Sequence, residues 1–113
     1  MKDQDVWEEK WRGYGFLEML GDMRQVFPKQ RVMQMFAWMA LIGAVAGESR
    51  DITVRRLTRA GFGKSSVYSA ISDIAQFQAY LKAKWGVEVS REDLAEKSRQ
   101  AQAEVSQLAE PVV

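Results

Sequence analysis

The segment VMQMFAWMALIGAVAG, residues 32–47, restricts this chain more than any other. It is apolar almost all round, is interrupted by one glutamine, and is shorter than the roughly 18 to 20 residues needed to cross a bilayer. Such a segment has to be covered, either as the central helix of a soluble core or as part of a subunit interface. Pro28 suits a first helical turn and Gly47 suits a terminator, so a helix is predicted between them. Its methionines read as adaptable core filling rather than a ligand pocket. A chain of 113 residues holds one core of this kind, which predicts a single domain over residues 1–113.

The rest of the chain supplies helices to cover that segment. Asp3 to Arg12 carries Trp7 and Trp11 one turn apart, and Gly13 and Gly15 interrupt it. Phe16 to Val26 spaces Leu17, Leu20 and Met23 on one face. ITVRRLTRAG, residues 52–61, reads as a short helix on Val54 and Leu57, ended by Gly61. A longer helix from Lys64 to about Lys84 places Val67, Ala70, Ile71, Ile74 and Leu81 together, with Trp85-Gly86 at its end. A last helix, residues 90–110, starts at Ser90 with Asp93 three positions on, a weaker form of the capping box, and Pro111 stops it. Its stripe of Leu94, Ala101, Val105 and Leu108 suits one partner helix, taken from this domain or from a second copy, and makes it a candidate dimerisation helix. Only Val87 to Val89 is strand-like. The expected fold class is all-α, with at most a minimal β wing.

With no cysteine and no histidine, the chain lacks thiol nucleophiles, imidazole bases, disulfides and the usual zinc ligand sets. The clustered carboxylates, Glu8-Glu9 and Glu92-Asp93, lie on polar helix starts or faces, where solvation and the helix dipole account for them. No enzyme activity, metal or cofactor is expected. The N-terminal MKDQDVWEEKW has no uninterrupted apolar stretch and does not look like a secretory signal, so a cytoplasmic location without membrane contact is expected.

A formal net charge of +1 conceals a pattern. Residues 1–27 hold four bases and six acids, residues 28–89 nine bases and four acids, and residues 90–113 three bases and five acids. The basic centre between acidic flanks points to an anionic partner.

That centre contains GFGKSSVY, residues 61–68, whose Gly-Lys-Ser is shared with phosphate-binding loops. Such a loop requires a glycine five residues before Gly63, where Thr58 stands, and a preceding buried strand, where ITVRRLTRA is charged and helix-like. A helix-turn-helix over residues 52–74 uses every residue type instead. Val54 and Leu57 face the core, Gly61 relieves the turn, Phe62 plugs the core, and Val67, Ile71 and Ile74 lock the second helix to the first. Arg55, Arg56 and Arg59 then lie outward on the first helix, where phosphates would be met. Lys64, Ser65, Ser66, Tyr68, Ser69 and Ser72 lie outward near the start of the second, whose free amides also attract anions. The serines and Tyr68 would supply base preference and the cations affinity.

ITVRRLTRAGFGKSSVYSAISDI resembles the DNA-reading unit of bacterial winged helix-turn-helix regulators, particularly the multiple-antibiotic-resistance-regulator (MarR) type, in its Thr-Val-x-x-Leu helix, glycine turn and Ser-Ser-Val opening of the recognition helix. The chain departs from that pattern in three ways. It is one residue shorter between Leu57 and Gly61, carries Thr58 where alanine is common, and offers only Val87 to Val89 where the family has a two-stranded wing. The resemblance implies a sequence-specific double-stranded DNA-binding protein: a homodimeric transcriptional regulator, most simply a repressor, or a plasmid or phage maintenance protein. Two recognition helices would enter successive major grooves about 34 Å apart on an inverted repeat. The alternative is a small helical protein-interaction adaptor docking through its tryptophan-bearing first helices and striped last helix. No residue pattern specifies a small-molecule effector.

Overall fold

The computed structural model describes residues 2–27, 32–45 and 49–109. They form six helices: α1 Lys2–Arg12, α2 Phe16–Val26, α3 Val32–Gly43, α4 Arg50–Arg59, α5 Lys64–Trp85 and α6 Arg91–Ala109. No described residue is in a strand, so the fold is all-α. The possible wing is not formed. Five residues, Gly86 to Ser90, connect α5 to α6, too few for a two-stranded hairpin. Val89 is instead buried, and its carbonyl accepts a 2.7 Å hydrogen bond from the Gln78 amide.

The apolar segment forms the centre as expected. Val32, Met35, Phe36, Met39 and Ile42 of α3 are buried, and each such side chain contributes about 1.5–3 kcal/mol of hydrophobic stabilisation. Helix α3 ends at Gly43; the proposed start at Pro28 and terminator at Gly47 lie outside the described residues. The broadest packing is α3 against α6. Gly43 meets Ala95 and Arg91 at one end, while Met33 and Phe36 share a groove with Ala101 and Val105 at the other, so the two helices run antiparallel. A Cβ placed on Gly43 would stand 2.1 Å from the Ala95 Cβ. The absence of a side chain there sets the approach of the two backbones.

The α6 stripe therefore has its partner within the chain. Leu94, Ala95, Ser98 and Ala101 are buried, while Leu108 lies outside the described side chains. The expected cap at the α6 start is present, the Asp93 amide donating to Ser90 Oγ at 3.1 Å.

Helices α1 and α2 close the other side. Trp11 lies between Trp7 and Tyr14 and meets Trp85 edge-on, with centroid separations of 5.6, 5.7 and 5.9 Å. The Lys97 ammonium lies 5.1 Å from the Trp11 ring centre. Asp22 of α2, on the same face as the buried Met19 and Met23, accepts from Tyr14 Oη at 2.7 Å, Tyr80 Oη at 3.0 Å and Lys84 Nζ at 2.8 Å. A carboxylate at this depth is tolerable because it is paired and multiply hydrogen-bonded.

Candidate nucleic-acid interface

Helix α4 has only ten residues, below the roughly 12 to 15 at which an isolated helix becomes marginal, so its formation depends on packing. Thr53, Val54 and Leu57 provide that by burial. Its start lies two residues before the expected one because Ser49 caps it, Ser49 Oγ accepting from the Ile52 amide at 3.2 Å.

The turn that follows is a complete Schellman motif. Gly61 N–H donates to the Thr58 carbonyl at 3.0 Å and Phe62 N–H to the Leu57 carbonyl at 3.1 Å. Gly61 has φ of 105°, in the region that side chains disfavour, which is why glycine is needed here. Phe62, expected to plug the core, is instead 40% exposed and lies against Trp38 with ring centres 5.5 Å apart. The motif directs the residue after the glycine sideways along α3 rather than beneath the helix pair.

Helix α5 turns Val67, Ala70, Ile74, Phe77 and Leu81 inward over about four turns. Its first turn contains no acid, and its N-cap, Gly63, makes no side-chain hydrogen bond to the free amides. Both α4 and α6 differ, having serine caps and acids in the first turn. The α5 N-terminus thus keeps its partial positive charge and its orphan donors facing outward.

The sequence-derived residues are all accessible: Arg55, Arg56, Arg59, Lys64, Ser65, Ser66, Ser69 and Ser72 are exposed and Tyr68 is half-buried. The fold sorts them onto two sides of α5. One is a groove of about 380 Å³ between α4 and α5, where Arg55, Arg59, Lys64 and Tyr68 join Asp51, Val54 and Thr58. The Thr58 hydroxyl is already committed, donating to the Val54 carbonyl at 2.7 Å. The other is a groove of about 330 Å³ between α3 and α5, where Ser65, Ser66, Ser69 and Asp73 of α5 face Gln34 and Trp38 of α3. Arg56 and Ser72 line neither groove.

Sequence reasoning missed Arg50, whose guanidinium lies 4.8 Å from the centre of the Tyr68 ring. It also missed Trp38 and Gln34, which belong to the core helix by period but reach the second groove. The Asp22 cluster had one visible signal, an acid within the apolar stripe of α2. The tyrosines of that network are displaced from their ordinary behaviour. Burial, and then hydrogen bonding to Asp22, pushes the Tyr14 phenol well up, and the same two causes raise Tyr80.

Among the described residues no group of acids is arranged to hold a metal ion, and no helix is long and apolar enough to cross a membrane. No protein-family model matches this chain, and no curated protein or solved structure matches it either.

Proposed function

We propose that this chain binds double-stranded DNA through α4 and α5, acting as a homodimeric transcriptional regulator or a related maintenance protein. The observation that carries this reading is the division of the helix pair. Val54, Leu57, Val67 and Ile74 are buried beneath it, while eight of the nine cationic and hydroxyl-bearing residues are exposed above it. Arginine and lysine at those positions suit phosphate oxygens, and hydroxyls on a helix entering the major groove suit base edges. The uncapped first turn of α5 favours the same anionic partner.

The test is a pull-down of genomic fragments with purified protein at two salt concentrations, followed by anisotropy titration of any recovered duplex. Recovery of an inverted repeat, with affinity that falls steeply with salt and is weakened in Arg55→Ala/Arg59→Ala, supports the reading. Failure to bind any duplex at low salt overturns it.

One observation favours the protein-adaptor alternative: Leu17 is 72% and Met33 50% exposed, away from the basic helices. Under that reading the arginine variant retains its partner, which separates the two in the same experiment.

A further inference from the structure

We propose that the α4/α5 groove is a seat for one backbone phosphate of duplex DNA, served by Arg55, Arg59 and Lys64 of its lining and by Arg50, which stands outside that lining on the face of the groove residue Tyr68. Tyr68 then positions an arginine and does not read a base. The inference rests on the DNA-binding reading and assigns roles within that site.

Arg50 opens α4 and Tyr68 lies in the second turn of α5, so their contact spans the two helices. A guanidinium carbon 4.8 Å from the ring centre is well inside the roughly 6 Å reach of a cation–π contact. A guanidinium held above a ring face can keep N–H groups free, and two of these can grip a phosphate with paired hydrogen bonds. Arg50 is exposed, so the side chain is open to a ligand. The rotamer freedom an arginine normally loses on binding phosphate is already reduced by the stack.

The groove that Tyr68 lines fits an anion. Arg55 and Arg59 stand one turn apart on its α4 wall and Lys64 on its α5 wall, with Asp51 the one carboxylate among the lining residues. One tyrosine face is occupied by Arg50, so Tyr68 cannot offer that face to a base. Base reading is left to Ser65 and Ser69, on the other side of α5.

The experiment uses the full chain and a labelled duplex, with affinity measured across a salt series. Arg50→Ala is expected to weaken binding about tenfold at low salt and to lower the slope of log affinity on log salt by roughly 0.9, one phosphate contact. Arg50→Lys keeps the slope but loses affinity, and Tyr68→Phe leaves both unchanged. Tyr68→Ala weakens binding, and the double variant Arg50→Ala/Tyr68→Ala is no weaker than Arg50→Ala. Inorganic phosphate at matched ionic strength is expected to leave duplex affinity unchanged; competition that depends on Arg50 reassigns the seat to a free anion and overturns the proposal. A wild-type slope retained in Arg50→Ala, or additive effects of the two single variants, also overturns it while leaving DNA binding intact. Absence of wild-type duplex binding overturns both.

Discussion

The ammonium of Lys84 lies 2.8 Å from Oδ1 and 2.9 Å from Oδ2 of Asp22, a residue 62 positions earlier. The same carboxylate takes the Tyr14 and Tyr80 hydroxyls, so one side chain joins α2, the α1–α2 turn and the far end of α5. Lys84 is 44% exposed and can return to water, whereas Tyr14 is buried. Asp22→Ala is therefore expected to cost about 2–4 kcal/mol, mainly by leaving the Tyr14 hydroxyl without an acceptor. Urea denaturation measures it, and a loss below about 0.5 kcal/mol would show that the cluster contributes little to stability.

Alkaline pH tests the same cluster from the other partner. Burial and Asp22 hold the Tyr14 phenol above its ordinary value of 10.0, so the folded chain keeps a proton that the unfolded chain releases. The stability this provides is fully present below pH 10 and is lost as pH rises further, by about 1.4 kcal/mol per pH unit. Tyr80 acts in the same direction. Lys97 acts oppositely, because burial lowers its pKa and its contribution grows as pH climbs toward the ordinary lysine value. The readout is thus the difference between wild type and Tyr14→Phe: the gap in urea stability should narrow between about pH 9 and about pH 11. A constant gap would refute the assignment.

Gly43→Ala sets two effects against each other. Alanine in a helix is favoured over glycine by about 1 kcal/mol. Its Cβ, however, would lie 2.1 Å from the Ala95 Cβ and 2.9 Å from the Arg91 carbonyl oxygen, and overpacking against backbone costs about 1–3 kcal/mol. Net destabilisation is expected, with partial recovery in Gly43→Ala/Ala95→Gly, measured by thermal unfolding. A stabilised single variant would mean that α3 and α6 can separate freely.

Val67 and Ser69 separate folding from recognition on one helix. Val67 is fully buried, and Val67→Ala is expected to cost about 1–2 kcal/mol by leaving a small cavity under the helix pair. Ser69 is exposed, and Ser69→Ala should change stability by less than about 0.5 kcal/mol. Under the proposed function it should still alter which duplex sequences are preferred, as read by competition with variant sites. Equal selectivity across all sites would remove Ser69 from the reading edge.

The helices were legible because the forces that start and stop them are local. Ser90 with Asp93, the turn at Gly61 and the spacing of Val67, Ala70, Ile74 and Leu81 act within four residues, and the structure contains each of them. The outward placement of Arg55, Arg59 and Ser69 followed from the same period, since a helix with one buried face must expose the other. What lay between helices was not legible. The partner of the α6 stripe, the contact of Arg50 with Tyr68, the exposure of Phe62 on Trp38 and the convergence on Asp22 depend on how helices cross. That crossing is fixed by close contacts such as Gly43 on Ala95, 52 residues apart in the chain, and no periodicity within one helix encodes which remote surface it will meet.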